Sequence, residues 1–143
     1  MPEVGEDKQG GNMDIPLREQ IIALWIVFLF GMVFHSQLAM MPLLYGEDIA
    51  MPQYGGKTPM SHLWLMLGFF AIPMLAIVAT LVYSSPPYRI VHFGLTVAYS
   101  VLNFLHAAMD LTVRPIEWYQ IALMVIVFVN GMLLNAVAFQ WMQ

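Results

Sequence analysis

"VHFGLTVAYSVLNFLHAAMD", residues 91–110, is apolar enough to cross a bilayer, yet it carries His92, Thr96, Tyr99, Asn103, His106 and Asp110. On a helix of 3.6 residues per turn these positions, alternately four and three apart, form one continuous polar face. Ionisable side chains inside a membrane turn towards a bundle interior. The stretch therefore reads as one helix of a membrane bundle whose inner surface is polar.

Composition supports that solvent. The chain has 143 residues, of which 60% are hydrophobic and 10% charged. A soluble domain carries about 25% charged residues. So much apolar surface cannot be hidden inside one small chain, and a bilayer must cover it. The formal charge of −4 gives no electrostatic case for nucleic acid or anionic lipid. Cysteine is absent, which removes disulfides, thiolate metal sites, iron–sulfur clusters and thiol redox chemistry. The 13 methionines read as flexible filler of apolar packing.

Residues 1–14, "MPEVGEDKQGGNMD", read as a disordered polar tail. They lack the basic start, apolar core and cleavage site of a signal peptide, so the first apolar run is expected to be retained. Residues 15–143 form one transmembrane domain with spans at about 16–40, 60–83, 88–110 and 116–141. Asp14 is a candidate N-cap and Pro16 a first-turn residue. Without alternating strand patterns the spans are helices, and the fold class is an all-α, integral membrane, four-helix antiparallel bundle. Pro73, mid-span, should kink the second helix.

The connections order the helices. "SSPPYR" (84–89) and "LTVRPIE" (111–117) are tight turns that make helices 2–3 and 3–4 antiparallel neighbours. The 41–59 loop is long enough to cap one end, called here the loop side; the other is the tail side. Trp64 and Trp118 belong to an aromatic belt on the loop side, with Trp141, Tyr83 and Tyr88 on the tail side. Lys8, Arg18 and Arg89 fall on the tail side against Lys57 and Arg114 on the other, which puts both termini on the cytoplasmic side. Gly31, Gly68, Gly94 and Gly131 should allow close helix approach.

Placed by depth at about 1.5 Å per residue, His35, His62, His106 and Asp110 gather at the loop side. Three histidines and a carboxylate suit a first-row transition metal such as zinc, copper or iron. His106 and Asp110 are one turn apart on one face, so both can bind one ion, or Asp110 can orient an imidazole that does. His62, nearest the water, has the plainest alternative as a solvated residue. His92 lies at the tail side, at the depth of Asn135, and a hydrogen bond between them would tie helices 3 and 4 together. Asn103 and Asn130 suit similar ties. Glu47 and Asp48 read as a solvated pair that can overhang the loop-side cluster.

Residues 92–106, "HFGLTVAYSVLNFLH", also resemble membrane b-type cytochromes, in which one helix carries two haem-ligating histidines at this spacing. The resemblance implies a haem b with His106 as one axial ligand and His35 or His62 opposite. At the depth of His92 the chain offers Asn135, Gln20 and Met74 but no histidine, so the resemblance implies one loop-side haem unless a second subunit supplies a ligand. The remaining layout resembles small four-helix membrane proteins of unassigned function.

No phosphate-cradling glycine motif, nucleophile triad or zinc-protease signature occurs. Four spans without a repeat leave little room for alternating access. Two readings remain. One is a redox or metal-binding unit for electron transfer, holding haem b or a metal ion at His35, His62, His106 and Asp110. The other is a cofactor-free accessory subunit of a larger membrane complex, or a homo-oligomer, with partners packed on the bundle. A membrane enzyme using a metal-bound water beside Asp110 ranks below both.

Overall fold

The computed structural model describes residues 15–49, 55, 57, 59–113 and 115–143. The tail expected at 1–14, the Asp14 cap and most of the 50–58 loop lie outside the described residues. Four helices follow in order: α1 (Leu17–Met40), α2 (Met60–Val82), α3 (Pro86–Asp110) and α4 (Trp118–Met142), with a 3-10 segment at Met41–Tyr45 continuing α1. All four are long and apolar enough to cross a membrane, and no strand occurs among the described residues. The protein is a multi-pass membrane bundle.

Local chemistry sets the helix ends. Pro16 sits at the α1 cap and its carbonyl accepts from the Glu19 and Gln20 amides. α3 starts two residues earlier than expected, because Pro86 and Pro87 occupy first-turn positions where a missing N–H costs nothing. The Pro-Pro pair thus begins a helix instead of forming the turn. At the tail side two arginines satisfy helix C-terminal carbonyls. Arg18 donates to Thr80 and Leu81 in the last turn of α2. Arg89 donates to the Ser84 and Trp141 carbonyls, with its guanidinium 5.2 Å from the Trp141 ring centre. Both place a cation where the helix dipole is negative.

The close backbone approaches are α1 with α4 and α3 with α4, with a lighter one between α1 and α2. Small residues make the first two possible. A Cβ at Gly31 would lie 2.5 Å from Val127 Cγ2, and one at Gly131 would lie 3.1 Å from Ser100 Oγ. Gly68 and Gly94 have nothing within 4 Å, so the close approach expected there is not made. Gly31→Ala is expected to cost about 1–3 kcal/mol, because branched Val127 has no easy retreat. Gly94→Ala should be neutral or stabilising by up to about 1 kcal/mol through helix propensity. Thermal unfolding of the two variants in detergent checks the contrast.

α2 and α3, although joined by a tight turn, meet through long side chains. Tyr88 Oη donates to the Ala76 carbonyl at 3.0 Å and lies 2.8 Å from Thr80 Oγ1. Tyr99 Oη donates to the Phe69 carbonyl at 2.8 Å. That carbonyl lies four residues before Pro73, which has no N–H to offer it. The Tyr99 hydroxyl therefore supplies the donor that Pro73 lacks, as a bilayer interior demands.

α1 and α3 run in the same direction and face each other across the core. Ile21, Trp25, Phe28, Met32 and His35 form one buried face of α1. The buried residues of α3 are His92, Thr96, Tyr99, Ser100 and Asn103, every one carrying a polar group. The polar stripe is thus turned inward, and α3 gives its apolar residues to lipid. The rungs match by height: Trp25 with His92, Phe28 with Tyr99, Met32 with Asn103, and His35 with His106.

Candidate metal centre

At the loop side the last rung becomes a three-residue cluster. His35 continues the buried α1 face one step past Met32. His106 and Asp110, one turn apart, bring two polar groups to the same face of α3. His35 Nε2 lies 3.4 Å from His106 Nε2 and 3.5 Å from Asp110 Oδ2, and His106 Nε2 lies 3.7 Å from Asp110 Oδ2. The imidazole rings meet edge-on, 81° apart. The side chain of His35 is 9% exposed, that of Asp110 25% and that of His106 48%.

The three contacts form a nearly equilateral triangle whose edges exceed ordinary hydrogen-bond lengths of about 2.7–3.2 Å. An ion at its centre would lie about 2.0 Å from all three atoms, within the range for zinc–nitrogen and zinc–oxygen bonds. Asp110 Oδ2 is out of contact with solvent and accepts no hydrogen bond of ordinary geometry among the described residues. A carboxylate oxygen so placed requires a positive charge beside it.

His62 stands apart. It is exposed in the first turn of α2 and is not among the residues whose ligand atoms converge. α2 accounts for this: Met60 to Leu67 are exposed on every side, so the loop-side half of the helix does not press on the cluster. Glu47 and Asp48 are exposed in the loop.

The tail side corrects one expected pairing. His92 is 1% exposed, and its Nε2 accepts a hydrogen bond of 3.0 Å from Trp25 Nε1. Asn135 donates instead to Ser100 Oγ at 2.9 Å. Indole N–H only donates, so neutral His92 carries its own proton on Nδ1. Rings of Trp25, Tyr88 and Trp141 surround it, with centres 5.6–6.2 Å away. Trp141, expected in the outer belt, is therefore a core residue, and Tyr88 is half-buried, whereas Trp64, Trp118 and Tyr83 are exposed. Asn130 ties α4 to the Leu24 carbonyl at 2.9 Å, and Asn103 Nδ2 points to Met32 Sδ at 3.6 Å.

Trp25→Phe is expected to lower stability by about 1–3 kcal/mol, because His92 loses its donor inside the core. Metal binding at the far end should be unchanged. Chemical unfolding and a metal titration of the same preparation check both halves.

Sequence reasoning missed two features. Nothing in the apolar run around Trp25 singles it out as the partner of His92. A cavity of about 220 Å³ lined by Asp110, Val113, Pro115, Glu117, Gln120 and Ile121 opens beside the cluster. Its only sequence signal was the acidic residue at 117, close after Asp110. No protein-family model, curated protein or solved structure matches this chain.

Proposed function

We propose that this membrane protein binds one divalent first-row transition-metal ion through His35 Nε2, His106 Nε2 and Asp110 Oδ2. The observation that carries the reading is the triangle itself: edges too long for good hydrogen bonds, yet of the length that links ligands of one ion. Two imidazoles and a carboxylate suit zinc, iron or copper, and three protein ligands leave a position for water or another molecule. With a redox-active ion the site would serve electron transfer at one membrane face.

Haem b is the less favoured occupant. Trans imidazoles on one metal stand about 4 Å apart, at about 2.0 Å per bond, with a macrocycle spread between them. His35 and His106, edge-on at 3.4 Å, would have to part and open a slot.

The test is a cobalt(II) titration of the detergent-purified chain after treatment with a chelator. One ion per chain, with the intense visible bands of a four-coordinate site, is expected. A flat titration would sink the reading. A Soret band with a sharp α-band on reduction would put haem in its place.

The accessory-subunit reading keeps one observation of its own. α2 buries only Pro73, Ala76 and Thr80 inside the bundle, and its first two turns, Met60 to Leu67, are exposed on every side. A partner helix, from another subunit or a second copy, would cover it. Extraction in mild detergent distinguishes a lone chain from an assembly. Both termini are assigned to the cytoplasmic side on the excess of Lys8, Arg18 and Arg89.

A further inference from the structure

We infer that cations reach the cluster from the loop side through the pocket between Asp110 and Glu117, and that Glu117 receives them there. This rests on the metal-binding reading above.

Asp110 belongs to both places. Its Oδ2 is buried against the two imidazoles, while the residue also lines the pocket. Glu117, at the α4 cap, lines the same space. Its Oε2 accepts a 3.0 Å hydrogen bond from Gln120 Nε2, another residue of the pocket lining. The pocket of about 220 Å³ is large enough for several waters. An ion can therefore arrive hydrated and exchange water for protein ligands there.

The other end is closed to such an ion. Trp25, Tyr88 and Trp141 pack around His92, and Arg18 and Arg89 put positive charge at that end. A carboxylate at the mouth raises the local cation concentration and the rate of capture. The same field also favours the bound ion, so the carboxylate speeds arrival more than departure.

The experiment follows cobalt(II) loading by stopped-flow absorbance, using the full chain in detergent after chelator treatment. In low salt Glu117→Gln should slow association about tenfold. Dissociation should change less than association, so the affinity should fall with the association rate. Glu117→Asp should restore the rate. At about 1 M salt, where the screening length is about 3 Å, the differences should vanish. Equal rates for wild type and Glu117→Gln in low salt, or a loss of affinity without slower association, would overturn the port. A wild-type chain that binds no cobalt would overturn the metal site and the port with it. Binding with unaltered loading would remove the port alone. Gln120→Glu, which adds a second carboxylate to the pocket lining, should speed association in low salt and decides the matter if Glu117→Gln does not fold.

Discussion

His106→Ala is expected to abolish metal binding while leaving the bundle intact. The side chain is 48% exposed near the end of α3, so its removal opens no large core cavity. It does remove one corner of the triangle. Outer-shell partners of metal ligands are worth about 10–100-fold in affinity, and loss of a direct ligand should exceed that. His35→Ala and Asp110→Asn should match it, the latter because it removes the negative charge without changing shape. His62→Ala and His92→Ala should bind as wild type does, since neither residue is in the cluster. Isothermal titration with zinc or cobalt on the five variants, beside their circular dichroism, gives the answer. Equal affinity in wild type and His106→Ala would remove the site. A loss in His62→Ala comparable to that in His106→Ala would put His62 back among the ligands.

The bundle was legible because hydropathy and period are properties of the chain alone. Four long apolar runs have few solutions in a bilayer, and the polar stripe of α3 had to face inward. Depth was legible too, since the rise of a helix is fixed, and it brought His35 to the level of His106. Rotation was not. Depth put His62 beside Asp110, but whether a side chain faces inward depends on helix packing, and Met60 to Leu67 at the loop-side end of α2 are exposed. The pairing of His92 failed for a related reason. Asn135 stood at the right height on a neighbouring helix, but α3 turns His92 towards α1, and Trp25 was hidden in an apolar run. Trp141 and Tyr88 were assigned to the membrane interface by position near a helix end. They pack instead on the buried imidazole, where aromatic faces and edges find partners that lipid does not offer.

The largest loss of stability is expected from Tyr99→Ala, at about 3–5 kcal/mol. Tyr99 is 5% exposed, its ring centre lies 5.1–5.8 Å from those of Trp25, Phe28 and Phe69, and it joins α1, α2 and α3. Its hydroxyl can be tested separately. Tyr99→Phe keeps the ring but strands the Phe69 carbonyl, which Pro73 cannot serve, at a cost of about 1–3 kcal/mol. Pro73→Ala returns an N–H to the turn that should satisfy that carbonyl. The double variant should therefore be more stable than Tyr99→Phe alone, with a coupling of about 0.5–3 kcal/mol. Unfolding of the four chains in detergent measures this directly. The absence of cysteine allows thiol spin labels at exposed Val78 on α2 and Val97 on α3 without background. The distance distribution between them should broaden in Tyr99→Ala and stay narrow in the double variant. Additive losses in Tyr99→Phe and Pro73→Ala would show that the hydroxyl does not serve the proline gap. A coupled response would identify Tyr99 as the residue that lets α2 carry a proline at mid-membrane and still hold to the bundle.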